Sequence, residues 1–364
     1  MVEIRPVDRD KDHAALQELT RACPMQADIS ISIEREPDFF ALADARGDTR
    51  TLVAVDGERI VGCASASRRP ARTLGQDTIL AVLADMKVAP DYRKQGIAQR
   101  LLLGLVDEQS ELEAAVITGL TAAGNTAIEA TVQHLGEHYE LRALGDFSSY
   151  ELLTQMPMRV SKQYLIRPAA EQDRQALIAL LEEFYSSYSL APRFDGGGLE
   201  EQLARSPGMD LSSYLLAIEG GRPVAALGEW NQHHFKQTRI MTLPLHLRML
   251  SLTVRTGARF LPIGDFPAVG HQLKLNYLRH PAYTPGHEDA LAALVRTCVN
   301  RARSNKEHFC VFACAVGDPL IQVLAGIPKT AYRYRLMAGA ARPEAEAMVE
   351  LTRSGKLFDD PSLA

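Results

Sequence analysis

The residues best suited to chemistry in this 364-residue chain lie where a strand hands over to a helix. The run is Met86-Lys87-Val88-Ala89-Pro90-Asp91-Tyr92-Arg93-Lys94-Gln95-Gly96-Ile97-Ala98-Gln99-Arg100-Leu101-Leu102. An apolar strand end is followed by a loop with one glycine and two cations, then by the apolar spacing of an amphipathic helix. Successive N–H groups at a helix N-terminus, reinforced by the helix dipole, make a ready anion site. Gly96 lets the backbone approach a phosphate closely. Ala98 keeps the first turn small, and Arg93 and Lys94 add positive charge. The chemistry this implies is a pyrophosphate cradle. An ordinary strand–loop–helix connection with a turn glycine fits the same spacing.

The elements around this loop occur twice. Ile4-Arg5-Pro6 ends a short strand and leads into the acidic turn Asp8 to Asp12; Ile166-Arg167-Pro168 does the same before Glu171 to Arg174. An amphipathic helix follows each turn. Thr51 to Val55 turns through Asp56-Gly57 into Arg59 to Ala64, and Tyr214 to Ile218 turns through Gly220-Gly221 into Pro223 to Glu229; both read as hairpins. The offset is close to 160 residues, which predicts two tandem domains. The first half continues with a strand at 78–88, the loop, a helix at 96–109, a strand at 114–120, a helix at 125–135 and a strand near 147–153. The second has a strand at 272–278, a helix at 288–303, a strand at 309–316, a short helix at 319–324 and a strand at 331–337. An insertion, 230–270, reads as a helix plus a loop, and residues after 340 as one helix and a frayed end.

Composition narrows the class. The chain is 46% hydrophobic and 23% charged, which excludes global disorder and coiled coil. No apolar run approaches the ~20 residues of a membrane helix, and the charged N-terminus is unlike a signal peptide. Five cysteines scattered through a long chain argue against a disulfide framework. Cys310 and Cys314 have no partner pair, so no metal is expected. A cytoplasmic protein follows from this. Residues 1–155 carry a net charge of −9 and residues 156–364 a net of +4, without the dense basic stripe of a nucleic-acid binder. The contrast fits two modules that attract each other, and equally a drift of surface charge.

Val88-x-Pro90-x-Tyr92-Arg93-x-x-Gly96-x-Ala98 resembles the acetyl-CoA signature of the GCN5-related N-acetyltransferases (GNAT), and the element order around it is similar. The resemblance covers residues 2–153 and, in weaker form, 164–338. It implies an α/β (α+β) fold with two GNAT-like domains in tandem, each a twisted mixed sheet flanked by helices. The domains would be 1–155, a linker at 156–163, a degenerate copy at 164–341 and a tail at 342–364. By position it implies that Arg93, Lys94, Gln95, Gly96, Ile97 and Ala98 hold the pyrophosphate of acetyl-CoA. The backbone of Met86, Lys87 and Val88 would take the pantetheine arm like an added strand. Asn125 would contact the cofactor, although a plain helix N-cap suits it as well.

The family's usual tyrosine acid is missing: the aligned position is Val132. His134, His138 and Tyr139 are nearby, of which Tyr139 is the candidate acid. Asp85, beside Met86, is the candidate base, with Asp28, Glu34, Glu36 and Asp38 as acidic residues that would wall the acceptor site. The second half lacks the signature. Its loop, His280 to Glu288, has no matching arginine, Pro285 removes an amide, and Glu288 and Asp289 put negative charge at the helix start. The implied activity is acetyl transfer from acetyl-CoA, without a metal, to a small-molecule primary amine. Transfer to a protein or peptide amine is one alternative; a CoA-binding regulatory or scaffold protein without turnover is the other. No nucleic acid or membrane partner is implied, and a homodimer is one use open to the second copy.

Overall fold

A computed structural model describes residues 2–25, 30–122, 125, 128, 131, 139–245, 249 and 268–364. The first half folds as β1 (Glu3–Pro6), α1 (Arg9–Ala22), β2 (Ser30–Glu34), α2 (Ala41–Arg46), β3 (Asp48–Asp56), β4 (Arg59–Thr73), β5 (Gln76–Val88), α3 (Ile97–Glu111), β6 (Val116–Ala122) and β7 (Arg142–Leu153). The second half repeats that order as β8 (Leu165–Pro168), α4 (Arg174–Tyr185), β9 (Tyr188–Ala191), α5 (Gly198–Arg205), β10 (Tyr214–Glu219), β11 (Arg222–Asn231), β12 (Gln237–Thr242), β13 (Gln272–Leu273), β14 (Leu275–Tyr283), α6 (Glu288–Ser304), β15 (Phe309–Ala315) and β16 (Lys329–Ala340). Among the described helices and strands up to β16, β12 and β13 have no counterpart in the first half. After β16 come α7 (Glu346–Ser354) and β17 (Lys356–Leu357).

The repeated Ile-Arg-Pro motif has one physical cause. Arg5 grips Asp12 through both terminal nitrogens at 2.7 and 2.9 Å, and Asp12 also accepts the Asp8 amide at the mouth of α1. Arg167 grips Asp173 at 2.5 and 2.8 Å, and Asp173 accepts the Ala170 amide before α4. Each pair locks an edge strand to the helix that follows it through charge-assisted, bidentate hydrogen bonds.

One mixed sheet runs through the molecule in the order β1-β3-β4-β5-β6-β16-β7-β15-β14-β11-β10-β8. The order is palindromic about its centre. There β7 and β16 pair antiparallel, with Phe147 opposite Tyr334 and their rings stacked at 5.5 Å. Each half's last strand completes the other half's sheet: β16 pairs with β6, and β7 with β15. The boundaries expected from the sequence therefore divide the chain but not the sheet, because the strand at 142–153 belongs with the second half and that at 329–340 with the first.

Two further expectations are corrected. The insertion starts as the end of β11 and continues as β12, which pairs with β2 of the first half and with β13 in a small second sheet. The rest of it, 246–248 and 250–267, lies outside the described residues, as does most of the helix at 125–135. The chain after 340 is no frayed end. Beyond α7 it runs between the halves, and Asp360, Ser362 and Leu363 are buried. Asp360 pairs with Arg279 at 2.7 Å, Tyr334 donates to Asp359, and the Leu363 carbonyl accepts Arg46 Nε at 2.5 Å. Charge complementarity also crosses between the halves: Arg193–Asp77, Arg205–Asp48, Arg239–Glu34 and Arg335–Asp146 each join a cation of the second half to an acid of the first.

Candidate active site

The loop after β5 descends through one turn of 3-10 helix, Pro90–Tyr92, before α3 begins. Tyr92 anchors the turn by donating to Asp56 at 2.8 Å, and Arg59 pairs with Asp91 beside it. Lys94 (φ 60°) and Gly96 (φ 74°) both take left-handed backbone, so the amides that follow turn toward one side. The amides of Lys94, Gln95, Gly96, Ile97 and Ala98 donate to no backbone acceptor among the described residues. Residues 93–96 are exposed, and a Cβ built on Gly96 meets nothing within 4 Å. This is an open anion cradle of the kind a helix N-terminus provides. α3 is held close to the sheet by two glycines: a Cβ on Gly62 would meet Ile97 at 3.2 Å, and one on Gly104 would meet Leu52 at 2.9 Å.

Above the cradle β5 is bent by a bulge. Lys87 faces Cys63 and Ala84 faces Ser65, so Asp85 and Met86 together stand opposite Ala64, with Asp85 at φ 57°. On its other edge β5 pairs with β6 only from Leu80–Val116 to Leu83–Gly119. Beyond that the two strands part, while β6 stays paired with β16 along its whole length. The edge of β5 from Ala84 to Val88 is thus open toward a wedge between the strands, the arrangement an extended ligand completes as an added strand. Arg93 folds back to the Val88 carbonyl at 3.2 Å, bringing its charge to the wedge.

The structure corrects both expected proton-transfer residues. Asp85 is buried between Arg35 and Arg46, the latter at 2.6 Å, with Lys87 Nζ at 4.0 Å. Burial opposes its charge, but the two guanidinium groups prevail and hold its carboxyl well below the usual 3.8, so it is no base at neutral pH. Tyr139 donates to Asp107 at 2.9 Å, near the C-terminal end of α3. Asp107 is eleven residues from Gly96, or about 16 Å along a helix, so Tyr139 is not placed to protonate a group in the wedge. Asn125 is exposed and accepts the Ile128 amide at 3.3 Å, a capping bond. Val132, His134, His138 and Asp28 lie outside the described residues. The other acids of the expected wall are engaged: Glu34 with Arg239, Glu36 with Arg21 and Gln17, and Asp38 with the Phe40 amide.

On the face of the sheet opposite α3, beneath the point where β5 and β6 part, lies a cavity of about 30 Å³. Leu80, Val82, Thr118, Leu120 and Leu336 floor it; Arg46, Arg69 and the segment from Phe358 to Ala364 close it. Lys236, just before β12, donates to the Ala364 carbonyl at 2.7 Å, and burial lowers its ammonium to about 7. Sequence reasoning missed Arg35, Arg46, Lys236 and the C-terminal acids. Nothing in their local pattern distinguishes them from solvated charges.

The second half keeps the geometry of the wedge but not of the cradle. His280 (φ 50°) and Pro281 form the same bulge opposite Leu227, five residues before Pro285 as Asp85 is before Pro90. β14 and β15 pair over three residues and then part. The following loop is turned inward, with the His287 amide on Thr284 and its Nε2 on Glu219. The C-terminal segment, Leu357 to Pro361, fills this second wedge. Among the described residues no group of three His, Cys, Asp or Glu side chains could hold a metal ion, and no helix is long and apolar enough to cross a membrane.

Residues 14–136 match the model of the acetyltransferase (GNAT) family. No curated protein sequence gives a significant match. Among solved structures the chain resembles a GCN5-related N-acetyltransferase from Sphaerobacter thermophilus (TM-score 0.58, 15% identity, 94% of this chain and 96% of that one). It also resembles a GCN5-related N-acetyltransferase from Anabaena variabilis (0.53, 13%, 93% and 72%). A third is Saccharomyces cerevisiae N-myristoyltransferase with bound myristoyl-CoA (0.63, 10%, 94% and 84%). At such identities the likeness is one of fold.

Proposed function

From the premise that residues 14–136 form a GNAT acetyltransferase domain, we propose that the chain is an acyl-CoA-dependent N-acyltransferase, moving acetyl from acetyl-CoA to a primary amine of a small molecule. The observation that carries this is the open edge of β5 leading straight into a cradle of free amides at the head of α3. The acyl-CoA thioester supplies the activated acyl group. The amides of Lys94 to Ala98, with Arg93 and Lys94 beside them, are suited to its pyrophosphate. The backbone of Met86 to Val88 is suited to its pantetheine arm. The bulge at Asp85–Met86 takes main chain out of the ladder, a source of an N–H donor for negative charge developing on an acyl oxygen. Holding both reactants in one wedge supplies proximity.

A small acceptor is favoured because the far face is covered. β12 pairs with β2 across it, and Phe358 to Ala364 close the cavity beneath the wedge. The small size of that cavity, with its leucine and valine floor, favours a small amine over a peptide. We assign cofactor binding to the first half alone, since Pro285, Glu288 and Asp289 weaken the second cradle and the C-terminal segment fills its wedge.

Calorimetric titration with acetyl-CoA tests this, using the wild type beside Gly96→Glu, which would fill the cradle with an anion. Binding at one site per chain, abolished in the variant, is expected. No binding by the wild type would overturn the reading, and two sites per chain would overturn the assignment to the first half.

A further inference from the structure

We propose that Asp359 takes the proton from the acceptor amine, so that the C-terminal segment brings a catalytic residue to the site built by the first half. This rests on the acyltransferase reading above. The cavity beneath the wedge is floored by residues of β5 and β6 around the point where they part, so the ammonium tip of an acceptor reaching an acyl group held in the wedge enters it. Asp359 lines this cavity, half-buried. Tyr334, on the central strand β16, fixes the carboxylate by donating to Oδ2 at 2.9 Å.

The rival acids are spent. Asp85 is held by two arginines, and Asp360 is locked on Arg279, which with its other partners brings it down to about 2. Among the described residues Asp359 makes no comparable ion pair. The charged groups facing it are Arg69 from β4, Arg46 from α2, Arg279 from β14 and Asp360 from its own segment. His280 of β14 is neutral, because burial pushes it to about 3, and on the far side Tyr188 is engaged with Asp318. Burial raises Asp359 to about 6, against the pull of Tyr334 and Arg69. A base of that strength is ionised at neutral pH and still accepts a proton readily.

The ammonium loses one proton to Asp359. The freed lone pair forms the N–C bond as the C–S bond breaks. The second nitrogen proton ends on the departing thiolate, and Asp359, being half-buried, returns its proton to solvent.

The test uses the full chain and reads thiol release from acetyl-CoA with spermidine, L-lysine, glucosamine and a glycine-initiated tripeptide, from pH 5 to 10. In the wild type kcat should rise with pH through about 6. Asp359→Asn should keep its calorimetric affinity for acetyl-CoA and lose roughly 10²-fold or more in kcat. Its residual activity should climb only toward the pKa of the free amine. Tyr334→Phe should move the acidic limb upward, since the lost hydrogen bond favours the charged form. Asp359→Asn with wild-type kcat and an unchanged limb overturns the inference and leaves the acyltransferase reading standing. So does an unmoved limb in Tyr334→Phe. A wild type that neither binds acetyl-CoA nor acetylates any of these amines overturns both.

Discussion

Arg35 and Arg46 close on Asp85 from two separate elements, and the carboxylate they neutralise sits at the bulge that opens the sheet. Removing it would leave two buried guanidinium groups without a counter-charge, a loss of about 3–5 kcal/mol. Asp85→Ala should therefore lower the unfolding free energy by that amount in a urea titration; a variant as stable as the wild type would show that the cluster is not held as described. The pH dependence has a definite sign. Asp85 is depressed in the folded state, so its contribution is full above the ordinary value of 3.8 and is lost as pH falls below it. The wild type should lose stability below about pH 4 more steeply than Asp85→Ala does. The same reasoning explains why the residue misleads on sequence: its position beside Met86 suits a base, and only the two distant arginines reveal it as a structural anion.

Among the elements, the paired Arg–Asp staples at β1–α1 and β8–α4 predict matching effects. Asp173→Asn should cost about 1 kcal/mol by urea denaturation, a discounted value because Arg167 is partly exposed. Asp173 is held at about 2, so this contribution is present above its unfolded value of 3.8 and fades as pH falls toward 2. Asp12→Asn should behave likewise, and a null effect at both sites would mean that the repeated motif is not a staple. These staples, the hairpins and the cradle were legible because each is written within about twenty residues: turn glycines, alternation, a strand end followed by a helix start. The bulges left a fainter mark, Asp85 and His280 each standing five residues before a proline. The exchange of β7 and β16 left none. A strand that pairs almost 200 residues away has the same apolar alternation as one that pairs with its neighbour.

For the whole molecule, the exchange means that neither half has a complete sheet of its own. A chain ending at Gln163 would present β6 and β7 as long unpaired edges, which invites aggregation. We expect it to be insoluble or to lack acetyl-CoA binding, whereas the full chain should unfold in one transition seen alike by far-UV circular dichroism and tyrosine fluorescence. A soluble, acetyl-CoA-binding fragment would contradict the shared sheet. The C-terminal acids were illegible for the same reason of distance: Asp359-Asp360-Pro361 reads locally as a polar end, and its meaning comes from Tyr334, Arg279 and Arg69.

The central pairing of β16 between β6 and β7 also orders events during synthesis. At about 5–20 residues per second, the ribosome needs on the order of ten seconds or more to go from β7 to the end of β16. Through that interval the half with the cradle is translated but cannot close, and β6 waits with its edge bare. Until Ala340 has emerged, the nascent chain carries a bare sheet edge of the kind that pairs with other chains.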